Sequence, residues 1–129
     1  MMINIFVYGT LKPNYTNYDQ YCAAKVINSQ QAIAIGALFN LPMGYPAMTV
    51  GNAKVQGYLL TFADDRILEA LDELEDYESD RPSHKNLYDR REIEVFDLEK
   101  KPLGLAWAYL MHPEQITQFG GVANPDGCY

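Results

Sequence analysis

The chain has 129 residues, 48% of them hydrophobic, with seventeen acidic against ten basic side chains and a net charge of −7. A single domain of this length buries a core without disulfides or metal, and the composition is not that of a disordered segment. The acidic balance argues against nucleic acid or an anionic membrane as partner, because phosphate binding needs a basic surface, and no apolar run approaches the roughly 18 to 20 residues that cross a bilayer.

The opening residues lack a basic stretch ahead of an apolar one, so they do not read as a secretory leader. Cys22 and Cys128 are read as reduced thiols, which makes the expected location cytoplasmic. Ile3, Ile5 and Val7 alternate with Asn4, Phe6 and Tyr8, the pattern of a strand with two usable faces. That strand runs into Gly9, Thr10 and Leu11 and then the turn-forming Lys12-Pro13-Asn14, with Asn14 able to accept left-handed geometry. A glycine at a strand mouth lets backbone N–H groups approach a ligand, and successive N–H groups in a turn can hold an anion. An ordinary turn has the same pattern.

Tyr15, Asn17, Tyr18 and Tyr21 follow, either as one face of a short helix over 16–24 or as an aromatic pocket wall. Strands are expected over 31–41, 47–50, 54–62, 88–98 and 104–111, with turns at Pro42-Met43-Gly44, Gly51-Asn52 and Lys100-Lys101-Pro102. The last two strands form a hairpin, with Ile93 and Val95 on one side and Leu105, Trp107 and Tyr109 in another row. One strong helix is expected over 64–77, opened by Asp64-Asp65. Several strands around one strong helix imply a small α+β domain on a curled, largely antiparallel sheet or barrel, with the domain over 1–119 and a tail over 120–129 that stays mobile unless Tyr129 docks.

The helix holds the main candidate for chemistry. Ile67, Leu68, Leu71 and Leu74 fall within an arc of about 120° on the helical wheel, with Glu69, Asp72, Glu73 and Asp76 outside it. Glu75 lies inside, about 20° from Leu68 and 40° from Leu71. A carboxylate at the end of an apolar stripe loses solvation, which raises its pKa towards the range useful for proton transfer. The alternative is a helix that frays at Leu74 and turns Glu75 to water. The loop over 78–86 follows directly and is placed to edge a pocket.

Other chemistries find little support. His84 and His112 stand alone, so no metal site is expected. Ser29, Ser79 and Ser83 have no nucleophile-elbow context, and Gly120-Gly121 is not followed by the lysine of a phosphate loop. The acidic run Asp72, Glu73, Asp76, Glu78 and Asp80 is read as a solvated face rather than a calcium loop.

Tyr8-Gly9-Thr10-Leu11 near the start and Leu71-Asp72-Glu73-Leu74-Glu75-Asp76-Tyr77 on the helix, taken together, resemble the γ-glutamylcyclotransferase-like family. Gly44-Tyr45-Pro46-Ala47, Gly57-Tyr58-Leu59 and Leu87-Tyr88-Asp89-Arg90 fall in the family's order between and after them. The resemblance implies a small β-barrel with helices outside and a cavity at its mouth. It implies release of 5-oxoproline and a free amine from a small-molecule γ-glutamyl substrate, with no cofactor. It assigns Glu75 as the catalytic acid/base and the turn of Tyr8, Gly9, Thr10 and Leu11 as the substrate-binding loop. Tyr8 and Tyr88 are read as wall or hydrogen-bonding residues, or else as plain core aromatics. An isopeptide-cleaving relative within the same enzyme class and a non-catalytic binding barrel of the same fold are the competing readings. An ion pair between Glu75 and Arg90 or Arg91 would favour the binding barrel.

Overall fold

Among the described residues, nine elements follow one another: β1 (Ile3–Val7), α1 (Thr16–Tyr21), β2 (Val26–Asn40), β3 (Pro46–Phe62), α2 (Arg66–Leu74), β4 (Asp89–Phe96), β5 (Pro102–Leu110), α3 (Pro113–Phe119) and β6 (Val122–Ala123). The computed structural model describes residues 2–13, 15–23, 25–82 and 85–129 and, of Thr16 and Gln20, the backbone only. The left-handed geometry expected of Asn14 therefore lies outside the described residues, as does His84.

β1 runs antiparallel to β3 on one side and parallel to β5 on the other. From β5 the pairing passes to β4, from β4 to β2, and from β2 back to β3, so five strands close a ring and β6 adds to β2. Only the β1–β5 contact is parallel, which matches the largely antiparallel α+β architecture expected.

The alternation in β1 separates two apolar clusters. Phe6, with Tyr8 just beyond the strand, joins Ala32, Ala34, Met48, Val55, Val95, Ala106 and Ala108, which are drawn from all the other strands of the ring. Small residues at several of these positions let a narrow ring fill its own interior. Ile3, Ile5 and Val7 face the opposite way, into a cluster with Leu60, Phe62, Ile67 and Leu71. Here α2 docks. Burying Ile67 and Leu71 contributes roughly 1.5–3 kcal/mol each, which holds a helix too short to persist alone.

Several boundaries differ from those expected. β2 starts at Val26 because Asn28, Ser29, Gln30 and Gln31 pair through their backbones with Thr61 to Tyr58 while staying exposed, so no apolar alternation marks them. The turn expected at Gly51-Asn52 is part of an unbroken β3. The β2 register jumps there from Gly36↔Ala53 to Ala37↔Thr49, and Val50, Gly51 and Asn52 bulge outward. A Cβ on Gly51 would lie 2.8 Å from the Gly36 backbone, so the glycine serves a close approach within the sheet rather than a turn.

α3 was not expected, although its caps are standard. His112 Nδ1 accepts from Glu114 N at 3.2 Å, Pro113 opens the first turn, and Gly120 closes it at φ 77°. The segment beyond is tied down. β6 pairs with Phe39 and Asn40, Gln56 N donates to Gly127 O at 2.7 Å, and Tyr129 OH donates to Gly44 O at 2.5 Å. Cys22 is buried and Cys128 exposed, both as free thiols. Among the described residues, no helix is long and apolar enough to cross a membrane.

Candidate active site

α2 ends at Leu74 rather than running on to 77, and Glu75 is its C-cap. Glu75 N still donates to Leu71 O at 2.9 Å, so the side chain keeps the helical phase that the wheel assigns it. Asp76 then turns left-handed at φ 53°, with its N–H on Glu73 O at 3.3 Å and Tyr77 N on Asp72 O at 2.9 Å. These two bonds make a Schellman motif, here with aspartate in the position glycine usually takes. Arg81 Nη2 donates to Asp76 O at 2.7 Å and Leu87 N donates to the same oxygen at 3.1 Å, fixing the reversal. Glu75 therefore does not swing to water. It is half-buried and lines a cavity.

The turn after β1 lines the same cavity. Lys12 N donates to Gly9 O at 3.0 Å and Tyr15 N to Lys12 O at 3.0 Å, giving two successive tight turns. Asn17 clamps Thr10 twice, N to O at 3.0 Å and Nδ2 to Oγ1 at 2.8 Å. The bonds use the carbonyls of Gly9 and Thr10; the N–H groups of Gly9, Thr10 and Leu11 take no part in them.

The cavity measures about 300 Å³, and Tyr8, Gly9, Thr10, Leu11, Glu75 and Tyr88 all line it. All six residues singled out from the sequence thus meet at one place. Tyr45, Pro46, Leu74, Leu87 and Tyr109 complete much of an aromatic and apolar wall. Among the described lining residues, Glu75 is the one carboxylic acid, with no lysine, arginine or histidine beside it. Loss of solvation alone raises its pKa from 4.5 to about 7.

Three of the phenols around it, Tyr8, Tyr88 and Tyr109, are committed to fixed partners. Tyr8 OH donates to Tyr109 O at 2.5 Å and accepts from Met48 N at 3.2 Å, Tyr88 OH donates to Pro46 O at 2.8 Å, and Tyr109 OH donates to Asp72 Oδ1 at 2.7 Å. Burial pushes all three well above the ordinary phenol range, so they stay neutral. Tyr109 was placed by its sequence only in a row of strand residues; alternation along β5 gives it a face but no role.

Asp72 corrects the expectation of a wholly solvated acidic face. It lies about 40° past the edge of the apolar arc, close enough for partners on the sheet to reach. Arg90 Nη1 donates to its two oxygens at 3.1 and 2.8 Å, and the side chains are only 18% and 23% exposed. The guanidinium carbon also sits 5.3 Å from the Tyr77 ring centre and 4.9 Å from that of Trp107. Arg90 therefore pairs with Asp72 and not with Glu75.

The remaining neighbours are structural. Tyr18 and Tyr21 pack on the core beside α2, while Tyr15 is exposed and donates to Tyr129 O at 3.0 Å. In the loop over 78–86, buried Asn86 accepts from Glu78 N at 3.1 Å and Arg81 Nε at 2.7 Å; Leu87, just after it, is the residue that reaches the cavity. Among the described residues, no three His, Cys, Asp or Glu side chains gather as a metal site.

Residues 5–128 match the family model described as gamma-glutamyl cyclotransferase, AIG2-like. The gamma-L-glutamyl-butirosin B gamma-glutamyl cyclotransferase of Niallia circulans is 32% identical over 117 residues, covering 91% of this chain and 72% of that protein. The chain belongs to the AIG2-like gamma-glutamyl cyclotransferase family. Solved structures of the same fold include an AIG2-like protein from Mus musculus, with a TM-score of 0.69 at 22% identity over 99% of this chain and 88% of that one. YkqA from Bacillus subtilis also gives 0.69, at 20% identity, with all of this chain covering 40% of that larger protein. The family match spans both the turn after β1 and the end of α2, the two elements that line the cavity together.

Proposed function

We propose that this family member cyclises a γ-glutamyl amide, releasing 5-oxoproline and a free amine, with Glu75 as general acid and base. The observation that carries the reading is an unpaired carboxyl in an aromatic cavity, with its pKa raised to about 7. A group poised near neutrality is present in both protonation states at once, which suits a residue that must take a proton and give one back.

The substrate brings its own nucleophile. Its α-amino nitrogen attacks the side-chain amide carbon, forming the new C–N bond of a five-membered lactam, and the bond to the departing amine breaks. Intramolecular attack supplies a large effective concentration, so no covalent enzyme intermediate is required. Glu75 as carboxylate takes a proton from the α-ammonium; as carboxylic acid it then protonates the departing nitrogen, and the second proton that the attacking nitrogen sheds on becoming the lactam N–H goes to solvent or to the freed amine. The N–H groups of Gly9, Thr10 and Leu11 hold an anion of the substrate, either its α-carboxylate or the carbonyl oxygen as charge develops. The rings of Tyr8 and Tyr88, fixed by their own hydrogen bonds, shape the wall and exclude water.

An ion pair of Glu75 with Arg90 or Arg91 would favour the competing binding-barrel reading; Arg90 pairs with Asp72 instead, and Arg91 is exposed. The test is a panel of γ-glutamyl amines, γ-glutamyl dipeptides, γ-glutamyl-ε-lysine and γ-glutamyl-butirosin B, with 5-oxoproline read by mass. At least one member is expected to turn over with wild type and not with Glu75→Gln; turnover of none would sink the proposal.

A further inference from the structure

Arg90 is an incompletely satisfied cation paired with Asp72, three residues before Glu75 on the same helix end. Its Nη1 is bound to Asp72, but its buried Nε makes no hydrogen bond to any described residue. Asp72 and Glu75 are three residues apart at one helix end, a spacing that puts Cβ atoms roughly 5–6 Å from each other. Tyr109 links the two places, because its hydroxyl is held by Asp72 while the residue lines the cavity with Glu75. An arginine released from Asp72 would have Glu75 as the next carboxylate along the same helix end. Two things hold it elsewhere: the bidentate grip of Asp72, and the slot between the Tyr77 and Trp107 rings.

We propose that Asp72 is a positioning residue whose task is to keep the Arg90 guanidinium in its aromatic slot and so prevent it from pairing with Glu75. This rests on the reading of Glu75 as the acid and base.

The surroundings of Glu75 make the device necessary. From β1, the β2–β3 loop, the segment before β4, and β5, the groups facing the cavity are the phenols Tyr8, Tyr45, Tyr88 and Tyr109, and α1 contributes the neutral Asn17. On its own helix end, Glu73 and Asp76 are exposed, and Asp76 meets Arg81. No charged side chain among the described lining residues offsets a cation arriving at Glu75. A guanidinium beside a carboxylate lowers its pKa by about 1–3 units, which cuts the acid form at neutral pH from about a half to about a tenth or less. The Tyr109 phenol already registers all three charges, raised by Asp72 and Glu75 and lowered by Arg90.

The experiment follows the Glu75 side-chain carboxyl by NMR titration of protein carrying 13C-labelled glutamate, with Glu75→Gln to assign the signal. In Asp72→Asn, which retains an acceptor for Tyr109, the midpoint is expected to fall by at least about one unit from the wild-type value. In Asp72→Asn/Arg90→Gln it is expected to return to the wild-type value. An unchanged midpoint in folded Asp72→Asn would overturn the proposal. So would a double variant that stays low, since the fall would then come from losing the Asp72 charge itself. Should Asp72→Asn fail to fold, Asp72→Ser takes its place with the same outcomes: a fall of about one unit that adding Arg90→Gln reverses is expected, and an unchanged midpoint overturns the proposal. Because the readout is the carboxyl and not turnover, an inactive substrate panel with these shifts intact counts against the proposed function alone.

Discussion

Gly9 packs so tightly on Pro46 that a Cβ at residue 9 would lie 2.8 Å from Pro46 Cγ. The contact joins the turn after β1 to the start of β3, and the Pro46 carbonyl in turn accepts the Tyr88 hydroxyl at 2.8 Å. A pyrrolidine ring cannot rotate aside as a flexible chain would. Gly9→Ala must therefore shift the turn, and misplacing a binding loop by a fraction of an ångström to 1 Å costs up to about 10²-fold in rate. A folded Gly9→Ala protein with lowered kcat/KM on the identified substrate is the expected outcome; full activity would show that the turn does not position the reacting groups.

Glu75→Gln keeps the shape of the side chain and removes the transferable proton. Turnover is expected to fall by at least about 10²-fold, with γ-glutamyl ligand binding retained in a calorimetric titration. In wild type, the rate should rise with pH through a limb near pH 7, and the variant should lack that limb.

The same substitution has a pH-dependent effect on stability. The folded pKa of Glu75, about 7, lies above its ordinary value of 4.5, so between these two values the folded state holds a proton that the unfolded chain has lost. Wild-type stability from this group is full below pH 4.5 and is lost as pH rises through 7. Glutamine stays neutral throughout. The Tm advantage of Glu75→Gln should grow across that window and level off above it; a Tm difference independent of pH would show that Glu75 is not desolvated.

Glu73 is exposed and about 160° from Glu75 on the wheel. Glu73→Gln is expected to leave kcat/KM within about twofold of wild type, since exposed charges of this kind act weakly. A large loss in steady-state kinetics with unchanged Tm would mean that the wrong acid has been assigned.

Asp76 holds the left-handed position that aims Glu75. Asp76→Val should cost roughly 1–2 kcal/mol or more in urea unfolding, because a β-branched residue is strained there. Asp76→Gly should stay within about 1 kcal/mol of wild type, exchanging an exposed contact with Arg81 for relief of that strain. Equal effects of the two would remove the backbone argument.

Much of the cavity could be anticipated from local pattern. The two-faced alternation of Ile3 to Tyr8 and the phase of Glu75 against Leu68 and Leu71 survive folding, because each face of β1 packs into its own cluster and α2 packs one face on the first of them. What escaped depends on partners far away in the chain. The burial of Asp72 needs Arg90 and Tyr109 from two strands, and nothing in its own segment announces them. The bulge at Gly51 looks like a turn until Gly36 is laid against it. The helix over Pro113–Phe119 was signalled by His112, Pro113 and Gly120, but its apolar content is too small for periodicity to register.

The place of β1 in the ring bears on how the protein reaches its working form. Ile3–Val7 is hydrogen-bonded on one edge to residues near 60 and on the other to Trp107, and both partners lie far along the chain. Pairing of such high sequence separation is slow, because chain must be looped in before any contact rewards it. A partly folded or shortened chain can form the long β2–β3 hairpin and still own no cavity. The turn that lines the cavity is therefore anchored only once β1 has paired with strands from two distant parts of the chain.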